Sequence, residues 1–232
     1  MELKKGIIIS ANPYKDKNLI CNLLLENEII SFEVISFFNS KKGYTNDIQI
    51  LNYGEFELYK GPTAYYKLKN YKIENSLYNF VYSDNDYLIA YEFLKEVISK
   101  VPPVDEFFKY YKLIQLTLDE LISDKNKYIS YLTLFISFYL RFTGYSIINV
   151  LEQEISMVLN DYKNEYGEII NKNSEIYNNF LNLYEKLFNA KYLIALEFIK
   201  KCDEKLILIV FKRISLIFAQ LNNIKINSLS FF

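Results

Sequence analysis

The hydrophobic period of this chain changes near residue 83, so the chain has two different packing problems to solve. Before that point apolar residues come in short runs: Gly6-Ile7-Ile8-Ile9, Leu19 to Leu25, and Ile29 to Phe38. Ile48 to Tyr59 and Ala64 to Ile73 alternate apolar with polar residues, as half-buried strands do. Asn12-Pro13, Glu26-Asn27, Lys41-Lys42-Gly43 and Gly61-Pro62 separate the runs as turns. No helical stretch among them is long enough to cross over a parallel sheet. Five short strands at this spacing therefore predict a small closed antiparallel barrel of the OB type. The expected fold is α+β: an N-terminal OB-type antiparallel β-barrel over residues 1–80, then an all-helical domain over residues 81–232. With 232 residues and 51% hydrophobic content, each half has enough apolar material for a core.

Beyond residue 83 apolar positions recur at helical spacing. Ser83 and Asp86 resemble a capping box, and Leu88, Tyr91, Leu94, Ile98 and Val101 form one face up to Pro102-Pro103. A second helix is expected from Pro103, with Asp105 and Glu106 in its first turn. Asp124 is the expected cap of a third, whose stretch Tyr128 to Leu140 is apolar nearly all round, as in the centre of a bundle. Arg141 and Gly144 mark its end. Helical spacing returns in Ser146–Tyr162, Ser174–Phe188, Lys191–Ile199 and Glu204–Leu221, the last capped by Asp203.

The residue inventory argues against catalysis. With no His there is no imidazole base and no Ser-His-Asp arrangement. Cys21 and Cys202 stand alone, which removes a thiolate zinc site and a disulfide framework. No phosphate-binding glycine loop occurs among six Gly. Paired acids such as Glu152 and Glu154 read as solvated helix faces. No enzyme activity, cofactor or metal is expected. Neither a signal peptide nor a stretch near the roughly 20 apolar residues of a membrane span is evident, so a reduced, cytoplasmic protein is expected.

Net charge is −1, so no global excess announces a polyanionic partner. Two local runs are biased. Leu58 to Ile73 carries Lys60, Lys67, Lys69 and Lys72 with no acid, interleaved with Tyr59, Tyr65, Tyr66 and Tyr71. Strand alternation would place Tyr65, Lys67, Lys69 and Tyr71 on one face, with Leu68 on the other. Rings for stacking and ammonium groups for phosphates are what a single nucleic-acid strand requires. The competing reading is a solvated sheet face. The second run, Lys205 to Phe232, holds Lys205, Lys212, Arg213 and Lys225 with no acid, and reads as solvated or snorkelling side chains.

Several motifs, taken in order, resemble the RecO family of bacterial recombination mediators. Gly6-Ile7-Ile8-Ile9, Pro13-Tyr14 and Leu19-Ile20 are similar to the start of that family's barrel. Gly54 to Gly61 is similar to its Leu-Tyr-Arg-Gly strand end, with Lys60 in the Arg place. Leu140-Arg141-Phe142-Thr143-Gly144-Tyr145 resembles its Leu-Arg-x-x-Gly-Tyr helix end, and Ser228 to Phe232 its closing Ser-Leu-Arg-Phe-Leu. The resemblance implies a non-catalytic protein of recombinational DNA repair that binds single- and double-stranded DNA and anneals complementary strands. It also implies two partners, RecR and the C-terminal tail of single-strand binding protein, in loading RecA. Two features depart from the family. The region matching its four-Cys zinc module, Asn149 to Ser174, has no Cys, and the positions of its basic run, Ser36 to Ser40, are uncharged with only Lys41 and Lys42 following. DNA contacts are therefore expected from Tyr65, Lys67, Lys69, Tyr71, Lys60, Lys41 and Lys42. Arg141 is the expected partner contact, its planar fork suiting a carboxylate of an acidic tail, with a helix cap as the simpler role. The alternative function is a protein–protein adaptor of the repair complex with weak or no DNA binding.

Overall fold

The computed structural model describes residues 1–37, 47–62, 64–103, 105–146, 151–167, 170 and 174–232. Lys41 and Lys42 lie outside the described residues. Five strands, β1 (Glu2–Tyr14), β2 (Asn18–Leu24), β3 (Ile29–Val34), β4 (Tyr53–Lys60) and β5 (Tyr66–Asn75), form one sheet. Seven α-helices follow among the described residues: α1 (Asn85–Lys100), α2 (Phe107–Ser123), α3 (Tyr128–Phe142), α4 (Leu151–Tyr166), α5 (Glu175–Asn189), α6 (Tyr192–Ile199) and α7 (Glu204–Leu221). The chain is α+β, with the strands first.

Strand β1 is longer than its apolar run because it serves two partners. Its first half, Glu2 to Ile7, pairs antiparallel with β4, and its second half, Ile7 to Tyr14, pairs antiparallel with β2. An irregularity between Ile8 and Ser10 marks the crossing. Strand β2 pairs antiparallel with β3, and β4 with β5. Two parallel pairs, Phe32 with Tyr66 and Glu33 with Lys67, join β3 to β5. The inward faces bury Ile8, Leu19, Cys21, Leu23, Phe32, Phe56 and Leu58, and the Phe32 and Phe56 rings lie 5.7 Å apart.

Two compact units divide the chain at Asn126 and Lys127, later than the change of period. Helices α1 and α2 thus belong to the same unit as the sheet. The physical reason is their contacts: α1 packs on β1, Asn75 Nδ2 donates to Asp119 Oδ1 at 2.8 Å, and Lys112 Nζ lies 3.2 Å from Glu26. The cap of α1 is Asp84, whose carboxylate accepts from the Asp86 amide at 2.9 Å, in place of the expected Ser83 box. Helix α2 begins at Phe107, because Glu106 takes a left-handed conformation (φ 53°) and ends any helix from Pro103. Asp124 closes α2 instead of opening α3.

In the second unit α3 is central. Every residue from Ser130 to Leu140 is buried, and α5, α6 and α7 pack around it. Tyr139 meets Phe218 of α7 edge-to-face at 5.6 Å, and Phe138 meets Tyr192 of α6 at 5.4 Å. Asp203 caps α7 by accepting from the Lys205 and Leu206 amides, as its position predicts. No helix among the described residues is long and apolar enough to cross a membrane.

Candidate nucleic-acid interface

The Tyr–Lys run of residues 58–73 covers the end of β4, the connection after it, and most of β5. Its alternation is broken. In the β4–β5 ladder Glu57 faces Asn70 while Leu58 faces Leu68, leaving Lys69 as an extra residue in a bulge. A bulge reverses which side later side chains take. Tyr66 and Leu68 pack against the sheet core before it, and Tyr71 and Ile73 pack against the same core after it.

Tyr65, Lys67, Lys69 and Tyr71 therefore do not share one face. Tyr71 is directed inward, and its hydroxyl donates to Asp47 Oδ2 at 2.8 Å. Lys69 is exposed, but its ammonium is held 2.9 Å from Glu57 Oε1. Leu68 and Tyr66 take the inner side as alternation predicts, and Tyr71, expected on the outer face, joins them there. Alternation along β5 alone carries no sign of this reversal, because a bulge is a property of the pairing between strands.

A different set of these residues converges at one end of the sheet, where the β1–β2 turn approaches the β4–β5 connection. The Tyr65 ring meets the Tyr14 ring edge-to-face at 6.0 Å, joining the start of β5 to the end of β1. Lys15, in a left-handed conformation (φ 46°) that turns the chain into β2, places its Nζ 5.0 Å from the centre of the Tyr14 ring. Lys60 Nζ lies 6.0 Å from the centre of the Tyr66 ring, its partner across the ladder. Lys67 is opposite Tyr59, and its aliphatic stem runs over Gly61, so close that a Cβ there would meet Lys67 Cε at 2.5 Å. Among the described residues no carboxylate lies within ion-pairing distance of Lys15, Lys60 or Lys67. Three ammonium groups with no carboxylate partner among the described residues thus lie beside aromatic residues at one sheet end: Lys15 at Tyr14, Lys60 at Tyr66 and Lys67 opposite Tyr59.

Of the residues expected from sequence, the structure brings together Lys60, Tyr65 and Lys67, and separates Lys69 and Tyr71 from them. Tyr14 and Lys15 were not anticipated as contacts. The available signal was a further Tyr-Lys pair, directly after Asn12-Pro13 at a turn.

Arg141 lies in the other unit, and one arm of its fork is engaged internally. Nη1 donates to the Ala190 carbonyl at 2.8 Å and to the Leu187 carbonyl at 3.3 Å, and the guanidinium carbon sits 4.3 Å above the Phe138 ring. These carbonyls are orphan acceptors at the end of α5, so Arg141 caps a neighbouring helix. Burial lowers its proton affinity below the ordinary arginine range. Arg213 forms a second internal clamp, with Nε 2.6 Å from Glu154 Oε2 and Nη2 3.1 Å from Glu154 Oε1, tying α7 to α4.

Cys21 is fully buried in the sheet core, and burial pushes its thiol up to about 12; burial beside Asp203 pushes Cys202 up to about 11. Among the described residues no three His, Cys, Asp or Glu side chains gather as metal ligands would. Comparison with protein-family models finds no match, and comparison with curated protein sequences finds none.

Proposed function

We propose that this protein is a non-catalytic, single-strand-binding and strand-annealing protein of recombinational DNA repair, a divergent RecO-like mediator acting with RecR and single-strand binding protein to load RecA. The observation that carries the reading is the end-of-sheet cluster of Tyr14, Lys15, Lys60, Tyr65 and Lys67. Rings supply sequence-tolerant stacking, and ammonium groups without acid partners supply phosphate neutralisation. The strand order β1-β2-β3-β5-β4, returning from β4 to β1, supports reading the sheet as a closed barrel of the OB type. In that architecture the β1–β2 and β4–β5 connections are where oligonucleotides bind, and here those two connections carry the cluster. The motif order from Gly6 to Phe232 supports the assignment to the mediator family.

The test is a titration with labelled oligothymidylate at several salt concentrations. Lys60→Ala combined with Lys67→Ala is expected to weaken binding and flatten the log–log salt slope by about 1.4, at about 0.7 per lost phosphate contact. Tyr65→Ala should weaken binding by about 1–3 kcal/mol with little change in slope. Lys69→Ala should act far less than Lys67→Ala, because the bulge at Lys69 sets it apart from the cluster at the start of β5. If the folded Lys60/Lys67 double variant binds and anneals like the parent, this cluster is only solvated surface; if the parent itself binds no oligothymidylate, the adaptor reading replaces this one.

A further inference from the structure

At the other end of β1 the first unit has a second aromatic and cationic concavity. A cleft of about 550 Å³ is lined by the start of β1, the β2–β3 turn, the first residue of β4 and helix α2. Tyr53 and Tyr111 meet in it edge-to-face at 6.3 Å. Lys5 Nζ lies 5.2 Å from the centre of the Tyr53 ring, and Lys112 Nζ lies 5.3 Å from that of Tyr111 and 5.8 Å from that of Phe108. Leu3, a further lining residue, is 67% exposed. Rings, an exposed apolar side chain and ammonium groups are assembled within one small volume.

We propose that this cleft binds one nucleotide of single-stranded nucleic acid, as a second contact separate from the Tyr14–Lys67 cluster; the choice of ligand rests on the function proposed above. The volume falls in the range of small-ligand pockets, roughly 300–1,000 Å³. A base takes the Tyr53 ring and Leu3, and the attached phosphate takes Lys5 and Lys112. Their present partners, Glu74 at 2.7 Å and Glu26 at 3.2 Å, are exposed surface pairs, which a phosphate displaces at small cost. Glu26 and Glu28 on the cleft wall repel a continuous run of phosphates, so the site admits one nucleotide and not a long tract. Lys5 and Tyr14 are nine residues apart on β1, a strand length of up to roughly 30 Å. Two contacts so placed hold two strand segments on one unit, which pairing of complementary strands requires.

Binding stoichiometry of a short oligothymidylate, about three nucleotides long and too short to bridge both ends, tests this. The intact protein is expected to take up about two oligonucleotides per chain, and the Lys5→Ala/Lys112→Ala variant about one. Lys95→Ala with Lys100→Ala, an equal loss of charge on α1, should leave the uptake unchanged. Photo-crosslinking with 5-iodouridine should mark Tyr53 or Tyr111 in addition to Tyr14 or Tyr65. A single equivalent that survives Lys5→Ala/Lys112→Ala and disappears with Lys60→Ala/Lys67→Ala would overturn the cleft. A single equivalent lost only with Lys5→Ala/Lys112→Ala would uphold the cleft and remove the end-of-sheet cluster. No uptake at all would overturn both.

Discussion

Arg141 shows how a residue that looks available in the sequence is engaged in the fold. Its position at the end of an apolar helix suggests a cap of that helix or a receptor for an acidic partner. The structure turns it sideways, onto the Leu187 and Ala190 carbonyls at the end of α5 and over the Phe138 ring. Hydrogen bonds from a charged donor to buried carbonyls contribute about 1.5–3 kcal/mol each. Arg141→Ala should therefore lower the stability of the second unit by about 2 kcal/mol, discounted for partial exposure and the longer of the two bonds. Denaturant unfolding followed by circular dichroism checks this. An unchanged midpoint would mean that water satisfies both carbonyls and would return Arg141 to the pool of partner contacts.

At the scale of elements, the pairing of β1 with β4 depends on two glycines. Gly6 and Gly54 are partners in the β1–β4 ladder. A Cβ on Gly6 would approach the Leu24 carbonyl oxygen to 2.7 Å, and one on Gly54 would strike the Lys72 carbonyl oxygen. Backbone oxygens held in a ladder cannot move aside as a side chain can. Gly54→Ala is expected to destabilise the first unit by about 1–3 kcal/mol, through strain of the overpacking kind. Gly61→Ala is the contrast, since the atom in its way is the flexible stem of Lys67. Thermal unfolding of both variants checks the pair: a loss at Gly54 no larger than at Gly61 would contradict the close-approach argument. The same substitution at Gly61 should still weaken oligonucleotide binding, because it displaces Lys67 from the cluster.

For the molecule as a whole, the absence of His removes the side chain whose ordinary pKa lies between pH 5 and 8. The shifted phenols and thiols titrate higher. Burial raises Tyr91, Tyr111 and Tyr184, and pushes Tyr110 and Cys21 each up to about 12. In the unfolded chain these phenols and the thiol release their protons near pH 8.5–10. The folded pKa values are the higher ones, so the unfolded state binds fewer protons in alkali, and stability falls as pH rises. The contribution is fully present below about pH 8.5 and is lost progressively toward pH 12. Urea denaturation should show little change from about pH 6 to 8 and a steep decline above about 9.5. A decline centred between pH 6 and 8, or none by pH 11, would contradict this.

Local rules fixed much of the molecule in advance. Alternation marked the five strands, although Asn12-Pro13, expected as a turn, lies inside β1, and β1 and β5 extend past their apolar runs where polar side chains face out of a paired ladder. Helical spacing marked the seven helices of the described residues; Asp203 opened α7, and Gly144, in its left-handed conformation (φ 82°), closed α3, as expected. These features depend on neighbours within a few residues, so the sequence alone carries them. Other features depend on residues far apart in the chain. The extra residue at Lys69 arises only when β5 pairs with β4, and it alone sends Tyr71 inward and divides the Tyr–Lys run. Tyr14 meets Tyr65 because β1 ends where β5 begins. Arg141 reaches the end of α5 because α3 packs against it. Helices α1 and α2 read as part of a helical domain, yet they join the sheet because their apolar faces and the Asn75–Asp119 bond find β1 and β5 there. Composition and period thus determined which elements form, while the pairing of distant segments decided which side chains share a surface.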